Sequence, residues 1–380
     1  MDFQEILTFI RSLYPDREQI PLHEPIFSGN EKQYLADCVD STFVSSVGKY
    51  VDTFERLIEE YTGAKKAVAV VNGTQALFVA LKLANVRPET EVITQSLTFV
   101  ATANAIHYTG AIPHFLDVDP DTMGLSPEIL SKFLKESTVQ KNGRLINLKT
   151  NREISAVVPM HTLGHPCRIE ELSDICKEYN VSIIEDAAES LGSFVNGKHT
   201  GRFGLMGTLS FNGNKVITTG GGGMILTDDE ELGRKAKHLT TTAKIPHKYE
   251  FIHDEIGYNF RLPNINAALG VAQMEKLPEL LKSKTEIAKK YSDFFSRSPW
   301  EFVLEPSFAK SNYWLNAIKF KNLSERNSFL ELSNQSGVMT RSFWKPMHQL
   351  NLYSSCPKGD LSITENLYET VVNLPSSPQQ

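Results

Sequence analysis

The chain has 380 residues, more than one hydrophobic core usually serves, so two domains are expected. Its 39 basic and 45 acidic side chains give a formal net charge of −6, which excludes the broad basic surface of a nucleic-acid-binding protein. The four cysteines form no C-x-x-C pair, so neither a zinc site nor a redox motif is supported and no metal is expected. This cysteine usage, with no apolar run long enough to span a membrane, predicts a cytoplasmic protein without a membrane partner.

Apolar residues recur at helical spacing in the N-terminal part, and strands alternate with helices after it. The periodicity predicts helices over residues 3–14, 30–39 and 51–61. Next come predicted strands over 66–71, 91–94, 112–118, 155–159 and 181–185, with helical stretches over 78–83, 99–108 and 170–179. Strands alternating with helices through short links predict a mostly parallel α/β sheet, whose ligands bind at the carboxyl ends of the strands.

The C-terminal part predicts a second, smaller α/β domain. Pro278 separates two predicted connecting helices, 264–276 and 279–295, and strands and a helix alternate again over 313–344. Strands over 209–212 and 224–227, a helix over 229–241 and a loop over 256–262 precede them. The predicted organisation is an N-terminal helix (1–20), a large domain (21–250) and a small domain that includes the connecting helices (251–380).

A Gly-Thr turn follows the first predicted strand, in the stretch Asn72-Gly73-Thr74-Gln75. The free backbone N–H groups and the dipole of a helix that starts here would favour a phosphate. Ordinary helix capping by Asn72 or Thr74 explains the same residues equally well.

Asp186 and Glu189 follow the strand predicted over 181–185. An Asp with a Glu three residues later is typical of a capping box at a helix N-terminus. Alternatively, Asp186 at a strand end faces the protonated nitrogen of a heterocycle.

Lys215 is the only charged residue between Gly204 and Leu226. Its amine either reaches water, as exposed lysines usually do, or becomes neutral, as an imine with an aldehyde cofactor requires. The glycines at 220–223 precede a predicted strand and open no helix, so they are not a dinucleotide fingerprint. They indicate a backbone that passes close to a ligand or to Lys215.

These features together meet the needs of one cofactor, pyridoxal 5'-phosphate. Its aldehyde requires the amine of Lys215, and its ring nitrogen requires a carboxylate such as Asp186. Its phosphate requires donors such as the Gly73 turn and Ser210, and its ring face requires an aromatic neighbour such as Phe99.

With these motifs in this order, the sequence resembles the pyridoxal-phosphate-dependent sugar-nucleotide aminotransferases of fold type I. The resemblance extends from Ile20 to Ser377 and implies a large domain with a mostly parallel sheet flanked by helices, plus a smaller C-terminal α/β domain. It is carried by these stretches: Asn72-Gly73-Thr74-Gln75-Ala76-Leu77, Thr98-Phe99-Val100-Ala101-Thr102, Glu185-Asp186-Ala187-Ala188-Glu189, Ser210 to Gly223, and Gly257-Tyr258-Asn259-Phe260-Arg261-Leu262.

The resemblance also implies a role for each matched position. Lys215 forms the imine and moves the proton, and Asp186 pairs with the pyridine nitrogen. The other implied cofactor contacts are Phe99 on the ring, Gly73, Thr74 and Ser210 at the phosphate, Glu189 near the 3'-oxygen, and Asn259 at the phosphate of the neighbouring subunit's cofactor. An obligate homodimer with active sites at the subunit interface follows. His161, Arg341 and His348 are candidate substrate contacts, although His161 could equally be a packed structural residue.

The implied reaction is transamination of a nucleotide-linked 4-keto-6-deoxysugar with L-glutamate as the amino donor. A dehydrating branch of the family has histidine in place of Lys215, so this chain is expected to be a transaminase. Residues 20–25 and 43–48 resemble the branch that aminates UDP-2-acetamido-2,6-dideoxy-4-ketoglucose for legionaminic acid or bacillosamine-type surface sugars.

Three alternatives remain open. They are a GDP-4-keto-6-deoxymannose aminotransferase (a perosamine synthase), a cofactor-bearing aminosugar sensor without turnover, and an α/β binding module without cofactor. The resemblance implies a further helix after residues 374–377, so the chain is expected to continue beyond Gln380.

Overall fold

The computed structural model of the protein describes residues 1–379. Its α-helices are α1 (Phe3–Leu13), α2 (Glu31–Asp40), α3 (Lys49–Thr62), α4 (Gly73–Leu83), α5 (Val100–Tyr108), α6 (Pro127–Ser137), α7 (Ile169–Glu178), α8 (Glu230–Thr240), α9 (Asn264–Phe295), α10 (Leu323–Gln335) and α11 (Ser362–Thr370). No helix in this described range has both the length and the apolar character that crossing a membrane requires.

The strands form one large sheet and several small ones. They are β1 (Lys66–Val70), β2 (Glu91–Gln95), β3 (Ile112–Leu116), β4 (Thr138–Lys141), β5 (Arg144–Asn147), β6 (Ile154–Val158), β7 (Ser182–Asp186), β8 (Phe194–Val195), β9 (Lys198–His199), β10 (Met206–Ser210), β11 (Gly223–Thr227), β12 (Lys244–Ile245), β13 (Ile252–His253), β14 (Glu301–Phe302), β15 (Ala309–Lys310), β16 (Asn316–Lys319), β17 (Arg341–Ser342) and β18 (Val371–Leu374).

The central sheet has the order β1-β11-β10-β7-β6-β2-β3. Neighbouring strands from β10 to β3 are parallel, and only β11 runs antiparallel to both of its neighbours. The predicted α/β class with a mostly parallel sheet is therefore confirmed. Because β1 and β10 both oppose β11, the carboxyl ends of β1, β10 and β7 lie at one edge, together with the start of β11. This edge carries the site described below.

A second sheet, with the order β14-β16-β18-β17, is antiparallel. The N-terminal helix α1 packs on its core, where the Phe3 ring contacts Trp300, Phe320 and Phe329. Asp2 and Glu5 form a capping box that fixes the start of this helix. The domain boundaries drawn from the sequence stay a prediction.

Helix α9 is continuous over Asn264–Phe295 and contains Pro278. The predicted break between two connecting helices was therefore wrong. Proline removes one backbone N–H donor, but residues on both sides of it are buried, and α9 packs along α2 and α3. Tertiary packing of these flanks holds the helix together across the proline.

The sequence prediction also missed α6 and the β4–β5 hairpin. Ser126 accepts the Ile129 N–H and Pro127 occupies the first turn, which is a readable helix start. The β4–β5 hairpin was hard to predict, because three of the four β4 residues are exposed and the strand lacks a clear alternation of apolar and polar residues.

Candidate active site

A cavity of about 280 Å³ opens at the carboxyl edge of the central sheet. It collects residues from widely separated parts of the chain. Its lining includes Asn72, Gly73, Thr74, Leu77, Phe99, Ala101, Met160, Asp186, Ala188, Glu189, Ser210, Asn212, Asn214, Lys215, Gly221, Gly222, Trp314 and Trp344. Seven predicted site residues, Gly73, Thr74, Phe99, Asp186, Glu189, Ser210 and Lys215, are thus brought together.

The Lys215 side chain is largely buried, with 13% of it exposed. Its Nζ atom lies 3.4 Å from Glu189 Oε1 and 4.0 Å from the centre of the Trp314 ring. The solvated surface lysine that the sequence left open is therefore excluded. The stretch around Lys215 is free of charge along the sequence, but folding places a carboxylate beside the amine.

Glu189 is the buried partner of this amine. Its Oε2 accepts the backbone N–H of Leu163 at 2.9 Å, which orients the carboxylate. Burial raises the pKa of Glu189 to about 7; the charge of Asp186 adds to the rise, whereas Lys215 and the Leu163 N–H oppose it. Glu189 therefore exchanges its proton near neutral pH, next to the amine.

Asp186 ends β7 and is also buried. Its Oδ2 accepts the Thr102 hydroxyl at 2.7 Å, and its Oδ1 accepts the Ala188 N–H at 3.2 Å. The residues that follow form a turn and not a helix, so the capping-box alternative for Asp186 and Glu189 is excluded. The carboxylate is held at the cavity by α5, from which Thr102 projects.

The N-terminus of α4 forms the opposite wall of the cavity. Asn72 Oδ1 caps the helix by accepting the Gln75 N–H at 2.9 Å, while the N–H groups of Gly73 and Thr74 lack intrahelical partners by their position in the first turn. A Cβ at Gly73 would lie 2.9 Å from Ser210 Cβ, so glycine is required for the helix start to approach this residue. The Asn72 cap therefore leaves the N–H groups of Gly73 and Thr74 free at the cavity wall.

The glycines at 220–223 divide between the predicted role and a packing role. A Cβ at Gly223 would lie 2.4 Å from the Asn72 carbonyl carbon. Backbone contact between β11 and the start of α4 therefore requires glycine at this position. Gly221 and Gly222 do line the cavity, as expected of residues near a ligand.

Three aromatic side chains enclose the cavity. Phe99 is 49% exposed, and its ring meets that of Trp344 edge to face at 6.2 Å. Trp314 donates its indole N–H to the Asn214 carbonyl at 2.6 Å, which holds the ring over Lys215. Trp314 was not predicted as a site residue, because a tryptophan in an apolar run is usually a core residue.

The predicted substrate contact His161 does not line the cavity. It is fully buried, with Nε2 3.0 Å from Glu185 Oε2, and its Nδ1 accepts the Cys167 N–H at 3.2 Å. Its position corresponds to the packed structural histidine that the sequence left as an alternative.

Three further predicted residues also lie outside this cavity. Arg341 is exposed and donates to Asn334, and His348 is buried between Ser96 and Glu365. Asn259 is exposed and forms an isolated β-bridge with Thr241, which follows α8.

The fold is that of an aminotransferase. The solved structure of Helicobacter pylori PseC, an aminotransferase involved in the biosynthesis of pseudoaminic acid, superposes with a TM-score of 0.83 at 28% identity, covering 94% of this chain and 93% of that one. A lysine beside a buried carboxylate at the sheet edge agrees with this class.

Residues 25–380 match the DegT/DnrJ/EryC1/StrS aminotransferase family, and the chain belongs to that family. Aminotransferases of this family depend on pyridoxal 5'-phosphate and act on sugars. EpsN of Bacillus subtilis is 37% identical, covering 94% of this chain and 91% of its own length. The GDP-perosamine synthase of Vibrio cholerae is 34% identical, covering 94% of each chain.

Proposed function

We propose that the protein transfers an amino group from L-glutamate to the 4-keto group of a nucleotide-linked 6-deoxysugar. One observation carries this proposal: the Lys215 amine lies in a cavity that also contains a buried carboxylate, Asp186, and a helix N-terminus beside Ser210. These three groups match the aldehyde, the ring nitrogen and the phosphate of pyridoxal 5'-phosphate.

Each wall of the cavity would hold one part of the cofactor. The free N–H groups at Gly73 and Thr74, with the Ser210 hydroxyl, would bind the phosphate. Asp186, fixed by Thr102, would keep the ring nitrogen protonated, and the partly exposed Phe99 would cover one ring face. The bound cofactor supplies an electron sink for the carbon from which a proton is removed.

Lys215 would attach the cofactor and then carry the proton between donor, cofactor and acceptor carbons. The partnership of its amine with Glu189 supports this role, because Glu189 releases and takes up a proton near neutral pH. When Glu189 is protonated it can donate a hydrogen bond to the cofactor's 3'-oxygen. When it is ionised it holds the Lys215 amine at Nζ.

The relatives favour a GDP-linked substrate. The Vibrio cholerae relative, a GDP-perosamine synthase, matches over nearly the full chain, which supports GDP-4-keto-6-deoxymannose as the acceptor. The UDP-2-acetamido-2,6-dideoxy-4-ketoglucose that residues 20–25 and 43–48 indicate is the second candidate. None of these residues lines the described cavity, so they support the UDP sugar through resemblance alone.

A direct assay distinguishes the substrates. The cofactor-loaded protein is incubated with L-glutamate and each ketosugar, and the aminosugar is detected by mass spectrometry. We expect amination of the GDP sugar in the wild type and in Lys289→Ala, an exposed control, and none in Lys215→Ala. Amination of the UDP sugar alone refutes the GDP assignment, and turnover of neither sugar refutes both.

Spectroscopy separates the enzyme from a binding module without cofactor. The wild type should gain a visible absorbance band after incubation with pyridoxal 5'-phosphate, and Lys215→Ala should lack it. A sensor would keep the band but give no aminosugar product.

An exposed apolar surface near Asn259 supports a homodimer. Tyr249, Phe251 and Ile256 are 77%, 81% and 86% exposed, which is unusual for neighbouring large apolar side chains. We infer that a second copy of the chain covers them and that Asn259 reaches the cofactor phosphate of the other subunit. Ile256→Asp should therefore weaken the dimer in sedimentation experiments, whereas Leu148→Asp, at an equally apolar exposed position, should not.

Co-expression tests the contribution of Asn259 across the interface. Subunits with Lys215→Ala and subunits with Asn259→Ala should be inactive or weak alone. A hybrid dimer then has one site with both residues intact only if Asn259 acts in the other subunit. Recovered activity supports the shared site, and no recovery contradicts it.

A further inference from the structure

A second, larger cavity of about 960 Å³ lies far along the sheet from the first, at the edge strand β3. Its walls come from the start of β3, from the β4–β5 hairpin with the loop after it, and from residues 352–359. It shares no lining residue with the active-site cavity. Its volume lies within the range of small-molecule sites, about 300–1,000 Å³.

The floor of this second cavity contains a histidine held by a carboxylate. His114 is only 4% exposed, and its Nδ1 lies 2.9 Å from Oε2 of the fully buried Glu91. The Asn147 amide donates to the same oxygen at 2.7 Å. Because Glu91 engages Nδ1, the second ring nitrogen, Nε2, remains as the polar atom that His114 can present to the cavity.

Glu91 is kept ionised by these contacts. Burial by itself would raise its pKa, but the hydrogen bonds from His114, Thr150 and Asn147 hold the pKa of Glu91 below its usual value. The carboxylate is thus available to orient the His114 ring through Nδ1.

Three cationic side chains surround the mouth of the cavity. Lys149 and Lys358 are exposed, and the Arg152 side chain is 37% exposed with Nη1 3.8 Å from Glu91. They come from two separate segments of the chain. No Asp or Glu is among the described lining residues, although acids outnumber bases in the protein as a whole. The ionised Glu91 behind His114 offsets one of these three cations, so the surroundings of the cavity are positive whereas the protein as a whole is negative.

We propose that this cavity binds a small molecule carrying a phosphate group, with the phosphate at Lys149, Arg152, Lys358 and His114. Guanidinium and ammonium groups form their strongest hydrogen bonds with such anions. The rings of Phe133 and Tyr353 in the same lining provide an apolar wall for the organic part. The site lies outside the proposed reaction, so it can be tested by binding alone.

Calorimetry with inorganic pyrophosphate tests the phosphate subsite. The protein is used loaded with pyridoxal 5'-phosphate, so that the anion cradle beside Ser210 is filled. Replacing both lysines (Lys149→Gln with Lys358→Gln) should weaken binding about tenfold or more, because two charged hydrogen-bond donors are lost. The control, Lys289→Gln with Lys321→Gln, removes the same charge from exposed positions elsewhere and should leave binding unchanged.

The His114→Gln variant tests whether His114 contributes to pyrophosphate binding in the second cavity. Glutamine can still donate to Glu91, so the fold is expected to persist by circular dichroism, while the ring nitrogen facing the cavity is lost. Weaker pyrophosphate binding in this variant supports the proposal. The proposal is overturned if the loaded wild type binds no pyrophosphate at millimolar concentration, or if both lysine pairs weaken binding equally. Neither result bears on the transamination, which is measured separately.

Discussion

Replacing Glu189 by glutamine tests the pairing between this carboxylate and Lys215. Glutamine has nearly the same shape and keeps an oxygen that can accept the Leu163 N–H. It has no negative charge to hold the Lys215 amine at 3.4 Å and no proton to exchange. The variant therefore removes the titrating carboxyl group of residue 189 and leaves the packing of the cavity in place.

The size of the effect follows from the shift in pKa. The folded protein holds the Glu189 proton up to about pH 7, whereas the unfolded chain releases it near the ordinary glutamate pKa of 4.5. Between these values the folded state binds more protons, so the free energy of unfolding falls as the pH rises. From pH 5.5 to 7.5 the loss amounts to about 2 kcal/mol for this one group.

Urea unfolding of the cofactor-free protein at pH 5.5 and 7.5 measures this loss. The other titrating groups are common to both proteins, so the difference between wild type and Glu189→Gln isolates Glu189. We expect the variant to lose about 2 kcal/mol less stability over this interval. Glu60→Gln, at an exposed position on α3, should behave as the wild type. Equal pH dependence in wild type and Glu189→Gln would refute the assigned burial and pairing of Glu189.

Three further changes probe the surroundings of the site. Lys284 is buried with its amine on two backbone carbonyls, and burial lowers its pKa to about 7. The folded state releases this proton at a lower pH than the unfolded chain does, so Lys284 should increase the free energy of unfolding by about 1.5 kcal/mol from pH 7 to 8.5. Lys284→Met should lack this contribution in urea unfolding. Trp314→Phe keeps a ring but loses the indole hydrogen bond, so bound cofactor should be lost several-fold faster in dialysis than from the wild type, and faster still from Trp314→Leu. Equal rates of cofactor loss in all three proteins would contradict a positioning role for Trp314. Thr102→Val leaves Asp186 Oδ2 without its donor and should weaken cofactor binding by about 1–3 kcal/mol in fluorescence titrations, whereas Thr102→Ser, which keeps the hydroxyl, should not.

The sequence determined the elements that carry the site. Strand and helix periods located β1 and β7, and Asn72 and Asp186 were recognisable because they lie at or just beyond strand ends. Lys215 was recognisable as the only charged residue between Gly204 and Leu226. Parallel strands bring their carboxyl ends to one edge, so the meeting of these residues could be predicted before the fold was known.

Local patterns were misleading where packing opposed them. Asp186 and Glu189 have the spacing of a capping box, yet the chain forms a turn there, and the two carboxylates accept hydrogen bonds from the Thr102 hydroxyl and the Leu163 N–H. Pro278 predicted a helix break, yet buried residues on both sides keep α9 whole. In both cases contacts with distant segments outweigh a local preference of about 1–3 kcal/mol.

What surrounds Lys215 was decided only by the tertiary structure. The sequence gives the lysine an uncharged neighbourhood, but the fold adds the Glu189 carboxylate and the Trp314 ring from separate segments. No spacing rule connects these residues, because side chains far apart in sequence meet only when sheet and helices pack. The order of the sequence motifs therefore indicated the type of chemistry, whereas tertiary packing determined the charge and shape of the surroundings of the Lys215 amine.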